Sequence, residues 1–455
     1  MLFRRFVSEG IAHFSYLIGS GTEAAVIDPR RDCATCLSTA AANGMRITGI
    51  FETHRNEDYA VGSCELSGIC GAPIYHGAAL PFAYGIPVHD GDRFTFGDLV
   101  LTIRETPGHT DESISIVVTD KENPGQPYMV FTGDLLFAGD TGRVDLGGNG
   151  TKERMAGDMY DSISGKILSL GDGTIVCPAH GAGSVCGGAI QDRPLTTVGF
   201  ERRTSPLLKL DRPAFIAQKN AEHHYFPPYF RTMEQFNTVG WPGRSLNPLL
   251  EPVTPAVLKD LLAGDVQVVD IRSPTGFAAG HIPRSFSIWR EGISLFAGWV
   301  LNYETKIVLV DDFNTDLDSV QKQFIRLGYD NLAGYLIGGF ISWAKAAGET
   351  TQIRICSVQE AVHRIPDDSF FVLDVRDRKN RKAQGHIEGS HHVYVGELPD
   401  HISEIPKNRP VIVYCDAGYK SSLAASILAR HGINRVTNML GGLTAWKKAG
   451  YPVQQ

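Results

Sequence analysis

The C-terminal half of the chain is written twice. The segment VVDIRSPTGFAAGHIPRSFSI (268–288) returns as VLDVRDRKNRKAQGHIEGSHHV (372–393), and LIGGFISWAKAAG (336–348) returns as MLGGLTAWKKAG (439–450). The spacing is about 100 residues, the size of a domain rather than of a solenoid repeat. Whatever one copy folds into, the other must fold into as well. Each copy reads strand, turn, strand, helix, strand, helix. The apolar runs VQVVDI, KIVLV, FFVLDV and VIVYC suit parallel strands buried on both faces. Helical stretches such as SSLAASILARHG separate them, so each copy is an α/β unit.

With 455 residues the chain is too long for one ordinary core, and two to four domains are expected. A hydrophobic share of 43% and a charged share of 20% belong to a soluble globular protein. The net charge of −7 gives no electrostatic reason to bind nucleic acid or an anionic membrane. No apolar run reaches the ~20 residues of a membrane span. The start, MLFRRFVSEGIAHFSYLIG, lacks a long apolar stretch and a small-residue cleavage site, so it reads as mature protein. Eight cysteines (33, 36, 64, 70, 177, 186, 356 and 415) are scattered too widely for a disulfide scaffold. A reducing cytoplasm is the expected home.

The first ~200 residues have a different grain. Short β-rich segments (AAVID, ITGIFET, DRFTFGDLVLTIRETPG, SISIVVT, YMVFTGD, TIVCPAHG) alternate with helices, with Gly and Asp at the turns. His54, Asp58, His109, Asp134 and His180 all fall at strand ends or just after them, where ligands meet in layered α/β folds. Residues 200–250, rich in Arg, His, Phe and Pro, are expected to close this domain as helices and loops, with GWPGRSLNPLLEP as the linker. CATC (33–36) begins where a helix should start, and without a second Cys pair it reads as structural. AEHHYFPPYF (221–230) either packs or lines a substrate channel.

Four motifs take a joint reading: THRNED (53–58), TPGHT (106–110), FTGD (131–134) and PAHG (178–181). Together they resemble the metallo-β-lactamase superfamily over roughly residues 10–200, which implies an αββα fold. That family carries T-H-x-H-x-D-H, then a His in PGHT, an Asp in TGD and a late His after a Pro. His54, Asp58, His109, Asp134 and His180 match; Asn56 and Tyr59 stand where the family has His. In its two-metal hydrolases the first metal takes the first two His and the PGHT His. The second takes the motif's Asp and last His plus the late His, and the TGD Asp bridges. Each metal would here lack one imidazole. Asn56 offers a neutral amide oxygen, and Tyr59 would have to lose a proton with a pKa near 10.

A single-metal site loses less. His54, His109 and Asp134 form two imidazoles and a carboxylate, the facial triad of non-haem Fe(II) oxygenases. The persulfide dioxygenase branch of the superfamily uses iron held by the counterparts of these three. LLFAGDTGRVDL (135–146) resembles the segment that follows the Asp in that branch, with Arg143 implied as a buried guanidinium ordering the loop and Asp145 in the same loop. Asp58, Asn56, Tyr59 and His180 are then neighbours of the iron ligands or remnants of a second metal position.

The sequence VIVYCDAGYKSSLAASILA (411–429) places Cys415 at the end of a buried strand, before a short loop and a helix. Loop N–H groups and the helix N-terminus favour an anion on that sulfur, and Lys420 adds positive charge. The segment resembles the rhodanese active loop, and DVRD (374–377), GHIEGSHHV (385–393) and LGGLTAW (440–446) match that family too. Cys415 is thereby implied as the sulfur-accepting nucleophile, while Asp374, Arg376 and His386 order the fold. The first copy aligns Asp311 with Cys415. A carboxylate cannot carry a persulfide, so that copy is expected to be silent.

The domain order resembles fused persulfide dioxygenase–sulfurtransferases: a metallo-β-lactamase fold over 1–245, a silent rhodanese-like domain over 254–350 and an active one over 355–455. The resemblance implies an Fe(2+) enzyme that oxidises a thiol persulfide (of glutathione, coenzyme A or a similar carrier) with O2 to sulfite, and a rhodanese that makes thiosulfate. Two alternatives stay open. One is a glyoxalase II-type thioester hydrolase with Zn(2+); the other is a sulfurtransferase on a metal-free scaffold. The identity of the carrier and any homo-oligomer stay open as well.

Overall fold

A computed structural model describes residues 1–148, 150–240, 249–365 and 369–455. Most of the expected linker, residues 241–248, lies outside them. The chain divides into two units: Met1–Pro248 with Ile325–Gly328, and Leu249–Phe324 with Tyr329–Gln455.

The first unit is built on two six-stranded sheets. One runs, in spatial order, Leu2–Ser8, His13–Ser20, Glu23–Ile27, Arg46–Phe51, Ile74–Gly77, Ile86–Val88. The other runs Thr196–Thr197, Ile175–Pro178, Asn123–Gly133, Ile114–Asp120, Leu99–Glu105, Arg93–Phe96. Strand alternation sends every second side chain to the opposite face. Tyr16 and Ile18, Ala25 and Ile27, Ile116 and Val118, and Met129 and Phe131 therefore meet in one core between the sheets. Their neighbours Leu17, Ala24 and Val26 pack outward with Cys33, Cys36 and Leu66, on or beside the helices Ala34–Ala42 and Ser63–Cys70. On the far side Val117 and Val130 pack against Met155, Ala156 and Met159 of the helix Lys152–Ser162. Helix, sheet, sheet, helix is the expected αββα order. Residues 200–240 alternate helices and loops, ending with the helices Arg212–Ala221 and Tyr229–Val239.

The second unit contains two parallel five-stranded sheets of identical order. The first is Pro252–Val253, Leu332–Leu336, Lys306–Val310, Val266–Asp270, Phe286–Ser287. The second is Arg354–Cys356, Val436–Met439, Val411–Tyr414, Phe371–Asp374, His391–His392. The written repeat is thus a repeat of topology. The structure adds short edge strands and extra helices, such as Pro255–Leu262 and Val358–Arg364, to the simpler pattern read from the sequence. In each copy a buried Asp–Arg pair locks the end of a central strand. Arg272 donates to Asp270 and to the carbonyl of Gly280, and Arg376 donates to Asp374 and to the carbonyl of Gly385.

Candidate metal and thiol sites

Four strand ends converge in the first unit. His54 follows Arg46–Phe51, His109 follows Leu99–Glu105, Asp134 follows Asn123–Gly133, and His180 follows Ile175–Pro178. Gly133 makes the last step into the site possible. Its φ is +53°, and a Cβ there would lie 2.6 Å from Thr53 Oγ1.

Hydrogen bonds fix which atom of each side chain is free. The Thr53 hydroxyl donates to Asp28 Oδ2 (2.8 Å), so its lone pair takes the proton of His54 Nδ1 (3.0 Å). His109 Nδ1 donates to the Arg143 carbonyl (2.9 Å), and His180 Nδ1 donates to Asp134 Oδ1 (2.7 Å). The Nε2 lone pairs of His54 and His109 and the Oδ2 of Asp134 are left facing one another. Asp134 Oδ2 lies 3.9 Å from His54 Nε2 and 3.5 Å from His109 Nε2. None of these three atoms has a hydrogen-bond partner among the described residues, and all three side chains are buried. Leaving one such group unsatisfied costs about 1–3 kcal/mol, so a convergent trio calls for a cation. The residues fit a metal ion.

Electrostatics divide the two imidazoles: burial opposes charge on His109, but Glu57 and Asp134 outweigh it and raise that ring above its ordinary value, where a bound cation would displace the proton. Burial pushes His54 down to about 4, so the ring is neutral and its lone pair available. Burial opposes charge on Asp134, but His180, His54 and His109 outweigh it and hold the carboxyl well below its ordinary range. Burial raises Asp28 to about 7, against two bonds from Thr53.

The other expected positions separate by role. Asp58 Oδ2 faces His180 Nε2 at 3.0 Å, across that ring from Asp134. Asn56 is turned back onto the backbone, donating to the carbonyl of His54 (3.2 Å). The Tyr59 ring lies 3.9 Å from that of His13, and burial, reinforced by Asp28 and Asp58, pushes its phenol far up, so it stays a neutral hydroxyl. Arg143 is buried and bidentate to Asp145 (2.6 and 2.9 Å), and it also donates to the Tyr225 carbonyl (3.0 Å). It lies over the rings of Phe226 and Phe230, so the aromatic segment packs on the guanidinium that braces the His109 loop.

Two buried groups beside the centre were not expected from the sequence. Glu57 Oε2 lies 3.7 Å from His109 Nε2, and His54, Glu57 and His109 offer ligand atoms within 4.8 Å of one another. Cys186 is similarly close to Asp58 and His180, and to His109 and Asp134. Burial, then Asp58 and Asp134, push the Cys186 thiol well up. Glu57 had a visible signal, an acid inside the THRNED motif; Cys186 sits in a stretch without regular structure and had none.

In the second unit Cys415 directly follows the strand Val411–Tyr414 and is buried. Its sulfur accepts from the Gly418 N–H (3.1 Å) and faces the Ser421 hydroxyl (3.4 Å). Gly418, at φ +106°, starts the helix Tyr419–Arg430. Lys420 directs its ammonium to Asp416 (3.1 Å) and Asp377 (3.7 Å). At the matching place in the first copy, Asp311 is paired with Arg290 at 2.6 Å.

A family model for the metallo-beta-lactamase superfamily matches residues 9–180, and one for the rhodanese-like domain matches twice, over 254–346 and 357–449. The crystal structure of a metallo-beta-lactamase from Staphylococcus aureus subsp. aureus COL is 31% identical, with a TM-score of 0.65. That match covers 74% of this chain and 98% of the other. The chain belongs to the metallo-beta-lactamase superfamily and carries two rhodanese-like domains.

Within this superfamily the chain is similar to proteins of two chemistries. The mitochondrial persulfide dioxygenase of Homo sapiens is 28% identical over 223 residues, 48% of this chain and 79% of that protein. The hydroxyacylglutathione hydrolase of Neisseria gonorrhoeae (strain NCCP11945) is 31% identical over 169 residues, 37% of this chain and 62% of that protein. The superfamily fold and the His and carboxylate cluster together point to a bound metal. No helix among the described residues is long and apolar enough to cross a membrane.

Proposed function

We propose that the first unit oxidises a low-molecular-weight thiol persulfide with O2 and that Cys415 transfers sulfane sulfur to the sulfite produced. The observation that carries this reading is the free trio of His54 Nε2, His109 Nε2 and Asp134 Oδ2, two imidazoles and one carboxylate. The similarity to persulfide dioxygenase and the rhodanese-like domains support it. Iron(II) held by the trio would give the closed-shell persulfide access to O2, with which it reacts poorly alone.

The protein's own part is to hold and to exclude. Thr53, Arg143 and His180 set the ring tautomers and the carboxylate orientation, as neighbours of metal ligands do. Burial of every group named keeps bulk water from the centre. In the balance, RSS⁻, O2 and H2O give RS⁻, SO3²⁻ and two protons, and the sulfane sulfur loses four electrons to O2. A second persulfide loads Cys415 by thiolate exchange and releases RS⁻. Sulfite then attacks the outer sulfur, the S–S bond breaks, and thiosulfate leaves with the Cys415 thiolate restored. The Gly418 N–H stands ready for that returning charge.

The test is anaerobic loading with Fe(II), then O2 uptake with glutathione persulfide and coenzyme A persulfide. Stoichiometric sulfite is expected, and no uptake by iron-loaded protein refutes the dioxygenase. One observation favours a second reading, thioester hydrolysis with two metals: Asp58, His180 and Cys186 form a second cluster of ligand atoms. Two zinc ions per chain in protein from zinc-supplemented cells, with thioester turnover, would select it.

A further inference from the structure

We infer that Glu57 is itself a metal ligand and replaces the imidazole missing at Asn56. The assignment rests on the metal-centre reading above. Position 56 holds Asn where the superfamily motif has His; its amide nitrogen donates to the His54 carbonyl, which leaves only a neutral, buried oxygen without a partner among the described residues. The adjacent carboxylate, Glu57, is anionic and lies beside both imidazoles. Glu57 is 1% exposed, and its Oε2 has no hydrogen-bond partner among the described residues. That oxygen is 3.7 Å from His109 Nε2 and within 4.8 Å of the ligand nitrogen of His54.

The alternative without a metal is that Glu57 only forms ion pairs, with Arg55 and with a protonated His109. Arg55 does bind the other oxygen, Oε1, at 3.1 Å, and shares itself with Glu234 at 3.2 Å. A carboxylate placed only for a guanidinium tends to present both oxygens to it, as Asp145 does to Arg143. Here Arg55 holds one oxygen and leaves the second aimed at the imidazoles. The charge count agrees. Two carboxylates, Glu57 and Asp134, beside two imidazoles would neutralise a divalent ion, which lowers the cost of burying it. An oxygen-rich set of this kind also suits a harder ion than the sulfur-bearing cluster at Cys186 does.

The experiment is anaerobic titration of the full chain with Fe(II) alone and with Co(II) alone. Wild type, Glu57→Gln, Glu57→Asp and His54→Ala are compared by affinity and by the Co(II) d–d spectrum. Gln keeps an oxygen for Arg55 but removes the anionic donor. Glu57→Gln is expected to weaken Co(II) and Fe(II) at least ten-fold and to change the Co(II) band pattern, with Glu57→Asp in between. Affinity within two-fold of wild type and an unchanged spectrum in Glu57→Gln, while His54→Ala loses binding, overturns this assignment alone. A wild type that binds neither ion, or binding indifferent to His54→Ala, overturns the metal-centre reading and Glu57 with it.

Discussion

Removing the Ser421 hydroxyl tests how the thiol loop distributes its donors. The hydroxyl has two acceptors, Asn438 Oδ1 at 2.7 Å and Cys415 Sγ at 3.4 Å, and a single proton. Asn438 is not free to turn, because its amide nitrogen donates to the Gly418 carbonyl at 3.0 Å. The proton therefore belongs to Asn438, and the sulfur's principal donor is the Gly418 N–H at 3.1 Å. A full hydrogen bond to a charged sulfur would be worth about 1.5–3 kcal/mol, or roughly ten- to a hundred-fold in rate. A hydroxyl committed elsewhere is worth about 1 kcal/mol or less, roughly five-fold. Ser421→Ala should therefore lower kcat/KM for thiosulfate-to-cyanide sulfur transfer by less than ten-fold. It should also lower Tm, since it orphans a buried Asn438 oxygen. Gly418→Ala should cost more activity, because φ +106° strains any residue with a Cβ and shifts the N–H. Both are read by steady-state assay with circular dichroism as the folding control. A hundred-fold loss in folded Ser421→Ala, or a greater loss there than in Gly418→Ala, would refute the assignment of the proton.

Three further outcomes follow from the same geometry. Asp311→Cys should not restore sulfur transfer in a Cys415→Ser background: Arg290 would lose its buried partner, and the loop reaches its helix only at Leu317 through left-handed Asn314 and Asp316. Burial holds His281 at about 4 against its ordinary 6.5, so between those values the unfolded chain binds a proton that the native chain refuses. Stability of the second unit should then be full above pH 6.5 and fall by on the order of 3 kcal/mol toward pH 4; urea midpoints should lose this slope in His281→Gln. Arg143→Met should weaken Fe(II) binding roughly ten- to a hundred-fold in anaerobic titration, because the His109 loop loses its brace without losing a ligand.

The layers and the repeat were readable because they are periodic. Buried strands such as Val266–Asp270 and Val411–Tyr414 announce themselves as apolar runs, and both copies of the Gly-Gly turn, 338–339 and 441–442, have positive φ that the sequence marks with glycine. The edge strands Phe286–Ser287 and His391–His392 have two residues each, too few for a period, and were invisible. At the metal centre His54, His109, Asp134 and His180 were legible as polar residues at strand ends. Residues 52–60 form no helix or strand, so no alternation rule says whether Asn56 or Glu57 turns inward. That choice is made by Arg55, Glu112 and Glu234, whose contacts span long stretches of sequence.

The first copy has no cysteine, yet it packs against the helix that follows Cys415. The helix Tyr419–Arg430 begins at the Cys415 loop, and the first copy grips it along its length. The Ser287 N–H donates to Ser426 Oγ (3.1 Å), Ser287 Oγ meets Ser422 Oγ at 2.8 Å, and the Trp289 ring lies 5.1 Å from that of Tyr419. Arg430 closes the far end on the Arg284 carbonyl. These partners come from the short strand Phe286–Ser287 and the segments on either side of it, not from the loop that carries Asp311. Moving that helix would carry away the Gly418 N–H on which the Cys415 sulfur depends. Ser287 and Trp289 thus help to hold the donor that reaches the Cys415 sulfur, although neither touches the sulfur itself.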